Sequence, residues 1–161
     1  EVDLDKLCPQ VAKPHKVDNV SPIAEVEGTP VQHAIIGTCT NGRIEDLEVA
    51  ARILDGKKIA HGMTLTISPA SKAVYIEAIH RGYVETFLRA GATIAIPGCS
   101  GCSGGAYVGI PADGEAVITT ANRNFKGRLG NANSFLYLAS PATVAASALT
   151  GCIEDSRNYV R

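Results

Sequence analysis

Apolar positions along the chain change their spacing several times, and each change marks an element. The run Val-Gln-His-Ala-Ile-Ile-Gly-Thr from Val31 to Thr38 has the short, β-branched character of a buried strand. From Arg43 to Leu54, residues Ile44, Leu47, Ala51 and Leu54 return at helical spacing, which predicts an amphipathic helix ended by Gly56. Met63 to Ile67 alternates like a strand, Ser71 to Ala90 is helical with a break at Gly82, and Ala92 to Ile96 is another short apolar run. A third cycle predicts strands at Ala116 to Thr119 and Phe135 to Ala139. It closes on a helix that opens at Pro141, with Ser140 as N-cap and Gly151 as its stop. The acidic residues Glu45, Asp46 and Glu48 fall on the wet face of the first helix.

Alternation of strand and helix predicts an α/β domain, a three-layer αβα arrangement around a mainly parallel sheet, formed by residues 31–161. Residues 1–30 differ. Pro9, Pro14, Pro22 and Pro30 with isolated charges predict an extended lead-in strapped across that body. In such a sheet Cys39 follows the first strand, Cys99 the third, and Asn122 with Arg123 the fourth. All lie beyond strand C-termini, the edge where loops converge and open α/β sheets bind ligands.

Composition narrows the classes of partner. A chain of 161 residues can bury about 70% of its unfolded surface, so no covalent staple is needed for folding. Net charge is -1 with scattered Lys and Arg, which argues against a nucleic-acid stripe or a polybasic membrane patch and favours a small-molecule partner. No apolar run approaches the roughly 20 residues of a spanning helix, and the opening Glu1-Val2-Asp3-Leu4-Asp5-Lys6 has no secretory core. A cytoplasmic protein is the expectation. Five cysteines, an odd number, then pose a metal or redox question more than a disulfide framework.

Three cysteines stand in informative contexts: Cys39 within Gly37-Thr38-Cys39-Thr40-Asn41, and Cys99 with Cys102 in Pro97-Gly98-Cys99-Ser100-Gly101-Cys102. Thiolates at i and i+3 can grip one metal centre across a tight turn, for which Gly98 and Gly101 supply freedom. The small residues Ser103, Gly104 and Gly105 would admit a bulky cluster against backbone amides. Three chemistries fit the spacing. Zinc needs a fourth ligand, and the candidates His33, Cys8 and Cys152 lack a matching spacing. An iron–sulfur cluster on three cysteines leaves one iron open to substrate, whereas a redox dithiol needs only the C-x-x-C pair. Cys8 and Cys152 read as ordinary thiols. His15, His33, His61 and His80 carry no catalytic assignment.

A second constellation is Thr119-Thr120-Ala121-Asn122-Arg123-Asn124-Phe125-Lys126-Gly127-Arg128, with Gly130 following shortly. Arg123 and Arg128 present planar forks suited to carboxylates, with Asn122 and Asn124 beside them. The competing expectation is a solvated basic turn whose arginines pair with surface acids. Phe125 is assigned to the core.

Together these residues resemble a known family. Ile36-Gly37-Thr38-Cys39-Thr40-Asn41-Gly42-Arg43-Ile44-Glu45-Asp46-Leu47, Pro97-Gly98-Cys99 with Cys102, and Asn122-Arg123-Asn124-Phe125 with Gly127-Arg128 are similar to motifs of the aconitase superfamily. The likeness runs from about Val11 onward. It includes Lys13-Pro14-His15-Lys16-Val17-Asp18-Asn19-Val20 and Ser140-Pro141-Ala142, and is strongest to large subunits of the 3-isopropylmalate dehydratase and homoaconitase branch. The resemblance implies a 4Fe-4S cluster held by Cys39, Cys99 and Cys102, and substrate contacts from Asn122, Arg123 and Arg128. It also implies a hydro-lyase of amino-acid biosynthesis, leucine biosynthesis in the first of these branches, that dehydrates and rehydrates a 2-hydroxy di- or tricarboxylic acid.

Two departures qualify that expectation. Ser100-Gly101 stands where the family more often has Gly-Pro, leaving the ligands intact. Family large subunits are more than twice this length, and their acid–base groups lie in other domains and in a small swivelling subunit. The chain is therefore expected to carry no catalytic side chain beyond the cluster ligands, to need those partners, and to be inactive alone. The alternative is a non-catalytic binding or regulatory module on the same scaffold.

Overall fold

A computed structural model of the chain describes residues 7–102 and 109–159; Ser103, Gly104 and Gly105 lie outside the described residues. Seven strands form one sheet: β1 (Gln10–Ala12), β2 (Val20–Pro22), β3 (His33–Gly37), β4 (Thr64–Ser68), β5 (Thr93–Ile94), β6 (Ala116–Thr119) and β7 (Phe135–Leu138), in spatial order β2-β1-β7-β6-β3-β4-β5. Strands β7, β6, β3, β4 and β5 are mutually parallel, in the register Gly37 beside Ser68 and Ile35 beside Thr119. Within the segment predicted as a strap, of which residues 1–6 lie outside the described residues, β1 and β2 form an antiparallel hairpin that pairs with the sheet at Ala12 beside Leu138.

Local signals account for the helices. In α2 (Ile44–Leu54) the Asp46 carboxylate accepts the Arg43 N–H at 3.0 Å, satisfying a donor that the helix leaves free. Ser71 caps α3 (Lys72–His80) by accepting from the Val74 N–H. Gly82, at φ 77°, separates it from α4 (Tyr83–Ala90) as the sequence predicts. Ser140 caps α5 (Pro141–Thr150) and Gly151 ends it in the left-handed region. A single turn, α1 (Thr38–Asn41), follows β3 directly and has no signal in the periodicity.

Helices α2 to α5 share one core with the sheet, built from Ala34, Ile36, Leu47, Ile53, Leu54, Leu65, Ile67, Phe87 and Val144. Alternate strand residues point the other way, and Ile35, Val117 and Leu136 meet Leu129 in a second, smaller cluster. The result is the predicted α/β architecture with a mainly parallel sheet. Among the described residues no helix is long and apolar enough to cross a membrane. Because β3, β4, β5 and β6 run in the same direction, the turns after them open on one edge, and every predicted site residue follows one of these strands.

Candidate functional site

The first turn of that edge is held under backbone strain. Gly37 sits at φ 116°, and a Cβ there would lie 2.0 Å from the Ser68 carbonyl oxygen; at Gly42 it would lie 2.5 Å from the Thr38 oxygen and 2.6 Å from that of Ser68. Only glycine lets the turn lie flat on the end of β4. Between them Thr38 takes φ 70°, an outlying value for a β-branched residue, and its buried Oγ1 has no hydrogen-bond partner among the described residues. The strain presents Cys39, the next residue, to solvent. Thr120, at the end of β6, fixes the turn from the other side. Its Oγ1 accepts the Gly37 N–H at 2.8 Å, while its carbonyl accepts from Asn41 Nδ2 at 2.5 Å.

The second turn is tied to the same strand end. Ser68, fully buried, shares a hydroxyl contact of 2.8 Å with Ser100, which donates to the Ile96 carbonyl at 2.6 Å. The Gly98 N–H donates to the Pro69 carbonyl, and the Cys102 N–H to that of Cys99 at 3.0 Å, folding residues 100–102 into a 3-10 turn. Cys99 is exposed and Cys102 buried. The negative charge of Cys102 raises the Cys99 thiol above its ordinary pKa, with desolvation and the charge of Cys39 acting in the same direction and Arg128 opposing. The sulfurs of Cys102, in the same turn, and of Cys39, in the first turn, thus both lie within electrostatic reach of Cys99.

This donor set suits a thiophilic metal centre, because three mutually repelling thiolates are relieved by positive charge between them. Among the described residues no three His, Cys, Asp or Glu side chains are closed up to metal-ligand separations. The thiols share an edge without being drawn together.

The polar segment after β6 supplies the third wall. Asn122 donates from Nδ2 to Thr40 Oγ1 at 2.6 Å, which joins this segment to the residue after Cys39. Arg128 donates from Nη2 to Cys102 Sγ at 2.7 Å, its guanidinium lies 5.5 Å from the Phe125 ring centre, and its buried Nε has no partner among the described residues. Neither Arg123 nor Arg128 pairs with an acid among the described residues, so the expected solvated ion-paired turn is not what forms. Phe125 is 48% exposed rather than core, since the arginine stacks on it and holds it at the surface. Asn124 is fully buried, and its Nδ2 donates to the Lys13 and Lys16 carbonyls at 2.9 and 3.3 Å. It is an anchor for the hairpin, not a neighbour of the arginines in solvent.

All six predicted site residues, Cys39, Cys99, Cys102, Asn122, Arg123 and Arg128, therefore belong to turns on the same edge. Of their supports, Thr40 and Thr120 fall inside the sequence motifs without a role assigned to them, and Ser68 escapes a reading of the sequence because a lone hydroxyl at a strand end carries no pattern. The glycines flanking Cys39 were the available signal.

Comparison with known proteins finds a matching family model and curated relatives. A model of the Aconitase family (aconitate hydratase) matches residues 1–151. The chain is 54% identical over 159 residues to 3-isopropylmalate dehydratase large subunit 2 of Archaeoglobus fulgidus, covering 99% of this chain and 38% of that protein. It is 56% identical over 155 residues to the probable methanogen homoaconitase large subunit of Methanosarcina mazei, covering 96% and 39%. Against 3-isopropylmalate dehydratase large subunit 1 of Thermotoga maritima the identity is 46% over 162 residues, covering 99% and 38%. The chain spans about two fifths of the length of these curated relatives.

Proposed function

Because the chain belongs to the aconitase family, we propose that it is the cluster-bearing part of a hydro-lyase large subunit of the 3-isopropylmalate dehydratase or homoaconitase type. Its substrate is a 2-hydroxy di- or tricarboxylic acid, isomerised by loss and return of water. The observation that carries the reading is the meeting, on one sheet edge, of three thiols with Arg128 on Cys102 Sγ and Asn122 on the residue after Cys39.

Cys39, Cys99 and Cys102 would hold a 4Fe-4S cluster as its thiolate ligands. Lewis acidity toward the departing hydroxyl is the chemistry such a cluster supplies when bound. The work of this chain is binding and orientation. Arg123 and Arg128 take carboxylates through their planar forks, and Asn122, steadied by Thr40, adds a hydrogen bond that fixes the acid against the edge. Fixing a reactant in this way can lower a barrier by about 7–11 kcal/mol in the best cases. The group that takes and returns the proton comes from the remaining large-subunit domains or from a small swivelling subunit. A reducing, cytoplasmic setting suits five free cysteines.

Anaerobic treatment with iron and sulfide should turn the protein brown, with broad visible absorption that is lost in Cys39→Ser, Cys99→Ser and Cys102→Ser. A colourless product sinks the cluster. Turnover of a malate-type acid should appear when the missing large-subunit domains and a small subunit are supplied in trans. A brown protein without turnover under those conditions would instead identify a binding or regulatory module on the same scaffold.

A further inference from the structure

Beside the thiol edge lies a groove whose hairpin wall, residues 15–18, the family reading leaves unused. A cavity of about 540 Å³ separates residues 15–18 of the β1–β2 hairpin from residues 122–125 of the turn after β6. That volume is in the range of small-molecule sites, about 300–1,000 Å³. Lys16 and Arg123 both line it, and neither makes an ion pair among the described residues. Among the described residues Asp18 is the one acid in its walls, while Val17 and Phe125, 54% and 48% exposed, give apolar sides. Two cations against one carboxylate favour an anion.

The walls are fixed to one another. Buried Asn124 binds the Lys13 and Lys16 carbonyls, so hairpin and turn move as one, and His15 stacks on Phe135 with ring centres 5.8 Å apart. The groove also reaches the reaction edge, since Asn122 both lines it and donates to Thr40 beside Cys39.

We propose that this groove is a specificity subsite, in which Lys16 and Arg123 hold the carboxylate-bearing end of the substrate away from the reacting carbons while Val17 and Phe125 flank its hydrocarbon. The inference rests on the hydro-lyase reading for its choice of ligand, but its test needs no metal. The hairpin then selects among acids by length: those whose far carboxylate reaches Lys16 bind, and shorter ones lose that contact.

The full chain, without metal, is titrated with tricarballylate while backbone amide NMR shifts are followed. Shifts at Lys16 to Asp18 and Asn122 to Phe125 are expected, with affinity weakened about tenfold in Lys16→Met and unchanged in Lys126→Met. Uncharged glycerol should leave these signals still. Shifts confined to Cys99, Cys102 and Arg128 overturn the groove while leaving the hydro-lyase reading intact. Inorganic phosphate binding as tightly, with the same loss in Lys16→Met, overturns the assignment to carboxylates. Binding as expected in a protein that never takes up iron keeps the groove and removes the reading on which its substrate was chosen.

Discussion

Gly37 and Gly82 both take positive φ, yet their side-chain space differs, and that difference separates two kinds of cost. An added Cβ at Gly82 meets nothing within 4 Å, so Gly82→Ala carries the left-handed backbone penalty of about 1–2 kcal/mol. At Gly37 the same atom would lie 2.0 Å from the Ser68 oxygen, and β3 and β4 must part to admit it. Gly37→Ala should destabilise by about 4 kcal/mol or more, a contrast that urea denaturation of the two variants reads directly. Asn124→Ala belongs to a third class, the loss of a buried donor to two carbonyls. Its expected cost is about 2 kcal/mol, with faster amide exchange in the β1–β2 hairpin than elsewhere as the signature of a lost anchor.

Among the elements, the strand ends opposite the thiols are clamped by hydrogen bonds. His33 at the start of β3 contacts Thr64 Oγ1 through Nδ1 at 2.7 Å and Glu115 Oε2 through Nε2 at 2.9 Å, so one ring bridges the entries of β3, β4 and β6. The hydrogen bond from His33, and then one from the Ala112 N–H, hold the Glu115 carboxyl below its ordinary value of 4.5. A carboxyl depressed in the folded state adds stability above its unfolded pKa, and this is lost as pH falls through the folded pKa. Glu115→Gln should therefore flatten the part of the acid limb that lies below about pH 4.5, as measured by denaturation midpoints from pH 3 to 6. A variant whose acid limb stays as steep as the parent's would contradict the clamp.

Elements were legible in proportion to how much of their stability is local. The apolar stripe of α2, the Gly82 break and the Ser140 and Gly151 caps are all written within a few neighbouring residues. The β1–β2 hairpin is not, since its strands are three residues long and owe their place to a β7 partner distant in sequence. Strand β5 shrinks to Thr93–Ile94 because it pairs on one side alone, although the apolar run continues to Ile96. In the site, the ligand-type residues could be read because their side chains suit few other uses, whereas Asn124 and Phe125 exchanged environments. A buried amide and an exposed ring there are set by the hairpin and by Arg128, which adjacent sequence does not encode.

At the scale of the molecule, apolar surface is unevenly distributed. Ile76 and Ile79 on α3 and Leu88 on α4 are 54%, 50% and 56% exposed, and a groove between the helices includes Ile79, Val84 and Leu88. Replacing Ile79 and Leu88 together with Lys should raise the concentration at which the chain aggregates and shift the denaturation midpoint little, because neither residue is buried. Light scattering and urea titration of the same sample test both halves.

Ser68 closes the account of the thiol edge. Its carbonyl oxygen bars a side chain from Gly37 and Gly42, and its hydroxyl meets Ser100 between Cys99 and Cys102. One strand-end residue thus disciplines two separate stretches of sequence. Over evolutionary time those stretches are not free to drift apart: a lineage that trades Ser100 for a residue without a hydroxyl releases Ser68 from its partner. The two positions should then covary across related sequences, while the glycines around Cys39, answerable to backbone alone, stay fixed.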